Sequence, residues 1–205
     1  MKQILTIPLL IICFSSFAQK QKDPTEDDVN KLYNSLPKAN DGYEWAEVVQ
    51  LDSAYKKDDL YKNAKLFFTD IFKSAKDVLQ YDDRTEGKVI GKGNFKIEDN
   101  QLSFLVAFHE TRYVNFTIEI FCKDGKYRYR IYNVHSDCNV RASGGSSPDQ
   151  LSNYDLTIDQ AYTNTNKGVD KKLQRRLFVE TFSELHKTID QIKQYMAKKQ
   201  STSDF

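Results

Sequence analysis

Hydrophobic and polar residues alternate most strictly over residues 115–134, NFTIEIFCKDGKYRYRIYNV. A period of two marks a half-buried β-strand. Asp124-Gly125 in its middle is a strong hairpin signal, because a type I′ turn needs positive φ at both central residues. With that pair at the tip, Lys123 faces Lys126 and the register runs outward. Cys122 then faces Tyr127, Ile120 faces Tyr129, Ile118 faces Ile131 and Phe116 faces Asn133, which makes one apolar face. The other face sets Phe121 against Arg128, Glu119 against Arg130 and Thr117 against Tyr132. A one-residue slip would turn Ile118 and Ile120 into water, so the register is well specified.

Residues 88–97 alternate as well, with Val89, Gly91, Gly93, Phe95 and Ile97 on one face. Two glycines on the same face weaken a strand but clear room for another element to approach. The pattern therefore predicts a helix crossing the sheet above Gly91 and Gly93. Further strands are expected at 43–51, 78–81 and 103–109. Helical spacing appears three times. Thr25 caps a short segment carrying Val29, Leu32, Tyr33 and Leu36, expected to be peripheral. A second stripe holds Leu60, Ala64, Phe67, Phe68, Ile71, Phe72 and Ala75, the last of which lies outside the residues described below. A long closing helix over 170–199 presents Leu173, Leu177, Phe178, Phe182, Leu185, Ile189, Ile192 and Met196. Residues 136–168 show neither period and are expected as a long irregular loop, softest at Gly144-Gly145-Ser146-Ser147-Pro148. The fold class is α+β: an antiparallel sheet with helices on one face and a long C-terminal helix.

The ends change the picture. Residues 1–18 read as an export signal, with Lys2 as n-region, an apolar run over 4–17 and small residues at Ser16 and Ala18 before the cleavage point. Ile12 is too bulky for a lipobox at Cys13, so a cleaved product in the periplasm or outside the cell is expected. The domain expectation is an N-terminal extension over 19–42, one domain over 43–199 and a disordered tail over 200–205. The chain has 30 basic and 29 acidic residues, equal once Lys2 leaves with the signal. That neutrality makes a nucleic-acid partner a poor reading. Export permits a Cys122–Cys138 disulfide. The hairpin register argues against it, since Cys122 sits near the turn and Cys138 beyond the far strand end.

Candidate chemistry is sparse. His135 and Cys138 could offer two metal ligands, without a second pair at suitable spacing. His109-Glu110 lacks the partner of a zinc-protease motif, and His186 lies on the closing helix. Ser53-Ala54-Tyr55-Lys56 matches a Ser-x-x-Lys pattern without its companion motifs. Asp52-Ser53-Ala54 resembles a short O-glycosylation signal. No catalytic residue, metal site or cofactor is assigned.

Asp59-Leu60-Tyr61, the run from Gly87 to Gly93 and the run Lys123-Asp124-Gly125-Lys126-Tyr127-Arg128-Tyr129 together resemble a family of exported Bacteroidetes domains of unknown function. Phe17-Ala18-Gln19 is similar to signal ends of that phylum. The resemblance covers residues 43–134 and implies a TATA-binding-protein-like fold, a curved sheet with helices on its convex side. It supplies no catalytic residues and does not carry DNA binding.

The leading functional expectation is a non-catalytic binding or assembly module of the cell envelope. Its candidate surface is Glu119, Phe121, Arg128, Arg130 and Tyr132, because Tyr and Arg are enriched in interface hot spots. The partner would be an envelope protein, a peptide or a glycan. One alternative is a small-ligand carrier or hydrolase with a pocket under the 136–168 loop, served by His135, Asp137 and Arg141. A homodimer joined through the open sheet face or edge is the third reading.

Overall fold

The computed structural model describes residues 22–72, 78–103, 105–144 and 150–199. The signal segment, the tail after 199 and the softest part of the expected loop, residues 145–149, lie outside the described residues. Three long strands dominate: β5 (Lys88–Ser103), β6 (Val106–Lys123) and β7 (Lys126–Gly144). They are preceded by α1 (Glu26–Ser35), a small ladder of β1 (Lys38–Ala39) with β2 (Gly42–Tyr43), β3 (Trp45–Gln50), α2 (Lys57–Phe72) and β4 (Leu79–Asp83). After them come β8 (Gln150–Thr157), a short α3 (Ile158–Asn164) and α4 (Lys171–Met196). The main sheet is antiparallel, ordered β4-β5-β6-β7-β3, with β8 also paired to β7.

The hairpin register holds as expected from Lys123–Lys126 out to Thr117–Tyr132. It then shifts by one residue, because Asn115 pairs with His135 rather than with Val134. The expected Phe116–Asn133 pair is thus replaced by a bulge. The extra residue is accommodated at Asn133, whose φ is +55°. Asn tolerates this left-handed conformation better than most side chains, and a bulge bends the strand that carries it. It also marks where β7 exchanges neighbours. Residues Lys126–Ile131 pair with β3, and His135–Ala142 pair with β8, along the same edge.

The long loop expected over 136–168 is not one. Residues 136–144 continue β7, residues 150–157 form β8, and residues 158–164 form α3. Ser136 and Cys138 face the core with little apolar bulk, so the buried side of this stretch carries no strong hydrophobic period.

The helices cover one face. An added Cβ on Gly91 would lie 2.5 Å from the Phe68 ring, and one on Gly93 would lie 2.7 Å from the Phe72 ring. The glycines therefore admit α2 onto the sheet, as their alternation predicted. All eight apolar stripe residues of α4 are buried. Its 26 residues span about 39 Å, enough to cross the sheet. The N-terminal helix is less peripheral than expected. A capping box between Thr25 and Asp28 starts it, and Val29 is fully buried. The hydroxyls of Tyr33 and Tyr43 both donate to Asp159 Oδ1 of α3, at 2.7 and 2.6 Å. Tyr33 also stacks on Tyr162 at 3.8 Å.

Two outcomes follow from this packing. Gly91→Val should lower stability by about 1–3 kcal/mol through overpacking against Phe68, whereas Lys92→Val on the opposite face should change it by less than about 0.5 kcal/mol; urea denaturation reads both. The second concerns the Tyr–Asp latch. Hydrogen bonds from Tyr43 and then Tyr33 hold the Asp159 carboxyl below its ordinary 3.8. Its stabilisation is therefore complete above that ordinary value and is lost as pH falls through the lower folded value. Val29 methyl resonances should shift in Asp159→Ala at neutral pH, and in the wild type only at strongly acidic pH.

Candidate functional site

The sheet alternation sends every second side chain away from the helices, onto an outer face that no described helix covers. All five residues singled out above lie there, in the expected cross-strand pairs. Phe121 stands opposite Arg128, Glu119 opposite Arg130, and Tyr132 opposite Thr117. Their chemistry is mutual. Glu119 is only 4% exposed. Its carboxylate accepts from Arg128 Nη2 at 2.8 Å and lies 3.7 Å from Arg130 Nη1 and 3.4 Å from Lys88 Nζ. Arg130 donates through Nε and Nη2 to the two oxygens of Glu44, at 2.8 and 2.6 Å. That bidentate fork pulls the Glu44 carboxyl below its usual range and raises the guanidinium further. Arg130 also covers the Tyr132 ring at 5.1 Å. Glu44 was not foreseen, since it lies 86 residues from Arg130 in sequence.

Two hollows open on this face. The smaller, about 210 Å³, lies near the hairpin tip among Val48, Phe121, Lys123, Lys126, Tyr127 and Arg128. Val48 is 54% exposed there, and Lys123 stands over the Phe121 ring at 5.2 Å. The larger, about 880 Å³, is an open groove across the bulge. Its lining includes Lys92, Asn94, Asn115, Thr117, His135 and Asp137. Of the three residues expected under a loop, His135 and Asp137 thus line a groove, but on the open sheet face. Arg141 is four residues farther along β7, opposite His109, and does not line it. On the helix side of the 136–168 segment, a cavity of about 10 Å³ lies among Val134, Leu156, Ile158 and Phe182, too small for more than a water molecule. A pocket beneath a loop is therefore corrected to a groove on a sheet. Asn94 and Asn115 were missed because they oppose each other across the β5–β6 ladder, whose register the sequence pattern alone did not set.

His135 and Cys138 point to opposite faces, since His135 is outward and Cys138 is buried toward the helices. They cannot share a metal ion. Among the described residues no group of three or more His, Cys, Asp and Glu could hold one. Cys122 and Cys138 are free and buried, and burial pushes each thiol up to about 12. They are thus protonated at neutral pH and unsuited to nucleophilic work. Cys122 pairs with Tyr127 and Cys138 with Arg112, about 33 Å apart along β6.

A second ionic group lies on the helix side. Arg112 Nε donates to Glu110 Oε1 at 2.6 Å, and both side chains are essentially inaccessible. Gln174 of α4 completes the group. It accepts from Arg112 and donates to Glu110 Oε2 at 2.7 Å and to Asp170 at 2.9 Å. Among the described residues no buried side-chain polar atom lacks a partner. The two networks should answer differently to mutation. Glu119→Gln leaves Arg130 paired with Glu44, and Arg128 reaches water, so a loss of about 1–2 kcal/mol is expected. Arg112→Met strands a buried carboxylate and should cost about 3–5 kcal/mol, most of which Glu110→Leu in the same chain should restore. Denaturant titration of the three variants checks the order.

The family model described as "Domain of unknown function (DUF4468) with TBP-like fold" matches residues 45–136, from β3 through the bulge. The chain is similar to the crystal structure of a DUF4468 family protein from Bacteroides ovatus, at 13% identity and a TM-score of 0.46, covering 80% of this chain and 91% of that one. It is also similar to a TBP-like protein from Parabacteroides distasonis, at 9% identity and 0.47, covering 77% and 97%. No curated protein matches.

Proposed function

Starting from the match of residues 45–136 to the DUF4468 family model with its TBP-like fold, we propose a non-catalytic binding module of the bacterial cell envelope that works through its outer sheet face. The export reading of residues 1–18 supports the location, and no helix among the described residues is long and apolar enough to cross a membrane. One observation carries the binding role. The hairpin half of the face has an apolar floor, Val48 and Phe121, ringed by Lys123, Lys126 and Arg128. Glu119 is occupied by Arg128, Arg130 and Lys88, so the rim presents net positive charge. An apolar centre inside a charged rim is the anatomy of a protein interface, and this sign of charge selects an acidic segment of the partner. The fold resemblance adds no DNA-binding role, because function resides in the site.

Site-specific photocrosslinking in cells tests it. A crosslinker at Val48 should give a discrete adduct that Lys123→Glu with Lys126→Glu abolishes, while one at the exposed Leu66 of α2 should give none. Equal labelling from both positions, or no adduct at Val48, removes the proposal. A crosslink between two copies of the chain would reassign the face to self-association.

A further inference from the structure

We propose that the groove across the β7 bulge is a separate binding site for a neutral, polyhydroxylated ligand, an oligosaccharide segment. Three successive outward rungs of the sheet run along it, of whose residues Lys92, Thr117, Asn94, Asn115, His135 and Asp137 line it. Lys92, Thr117 and Tyr132 form the first, Asn94, Asn115 and His135 the second, and Lys96, Tyr113 and Asp137 the third. The central rung is thus made of two carboxamides and an imidazole, each able to donate and accept. Sugar hydroxyls are also donors and acceptors at once, and they are met best by such groups. Among the described residues, the side chains of Lys92, Asn94 and Thr117 have no hydrogen-bond or ion-pair partner. Asn115 Nδ2 donates to Asp137 Oδ2 at 2.8 Å, and that bond fixes both side chains in place.

Two further features favour this ligand over others. Tyr113, 41% exposed, and Tyr132 stand on the rungs flanking the amides. Arg130 lies over the Tyr132 ring, so Tyr113, opposite the lining residue Asp137, is the aromatic face left open to a sugar ring beside the groove. Among the lining residues, Lys92 offsets Asp137 in charge, so the groove carries no excess that would favour an anionic polymer. At about 880 Å³ and open along its length, it accommodates a chain rather than a single small molecule.

The purified protein, cleaved after Ala18, is titrated calorimetrically with maltohexaose, cellohexaose and chitohexaose, with heparin as the anionic comparison. The expected result is saturable binding of at least one neutral hexasaccharide. Asn94→Ala with Asn115→Ala should weaken it about tenfold or more, as should Thr117→Arg, which fills the groove. Lys123→Glu with Lys126→Glu should leave it unchanged, which separates this site from the protein-docking half of the face. Unfolding curves on each variant confirm that the fold is kept. Absence of binding to all three neutral hexasaccharides overturns the proposal. So does binding that survives both groove changes, or binding confined to heparin. Because crosslinking at Val48 reads the other hollow, either proposal can fail alone.

Discussion

The structure depends on the period of two in the β6–β7 hairpin and on the single residue that interrupts it. Up to the bulge, Tyr127, Tyr129 and Ile131 face the helices. Beyond it, Ser136 and Cys138 do. The parity has reversed. A regular strand would send His135, Asp137 and Arg141 beneath α4, and burying an unpaired carboxylate or guanidinium costs several kcal/mol. The unfavourable φ of Asn133 is small beside that. One inserted residue thus keeps the core apolar on both sides of the break and turns polar groups outward into a groove.

Charge is handled in two ways on the two faces. Glu110 and Arg112 lie in a medium where a lone charge is intolerable, so their geometry is closed by Gln174 on α4 and by Asp170 at its N-cap. This group ties the start of the long helix to the sheet through directional bonds rather than through packing alone. Glu119 on the other face gathers three cations that still reach water. Solvent screens such contacts and limits what each adds to stability. They order long side chains and so define the shape of the open face.

Much of this was legible in the sequence. The hairpin register, the helix over Gly91 and Gly93 and the α4 stripe follow from local periodicity, which the physics of burial imposes directly. The bulge was legible in principle, because the apolar parity of β7 changes between Ile131 and Cys138. It was missed because neither Gly nor Pro marks the position, and Asn133 fits a regular strand in isolation. The later half of β7 and β8 escaped notice for a different reason. The inward positions of later β7 begin with Ser136 and Cys138, and the larger Tyr154 and Leu156 that face the core beside them come from β8, across a break in the pattern. Glu44, Asn94 and Asn115 show the same limit: their roles are set by neighbours that sequence separation conceals.

The sharing of one edge of β7 by β3 and β8 has a kinetic consequence. Trp45–Gln50 must wait for Lys126–Ile131, some eighty positions later in the chain. Contacts of such separation form after local ones, since loop closure opposes them. The β6–β7 hairpin, closed by a two-residue turn, is therefore the natural nucleus. The first strand of the main sheet in chain order is among the last to dock. A chain emerging from its N-terminus cannot complete this sheet until β7 and β8 are available.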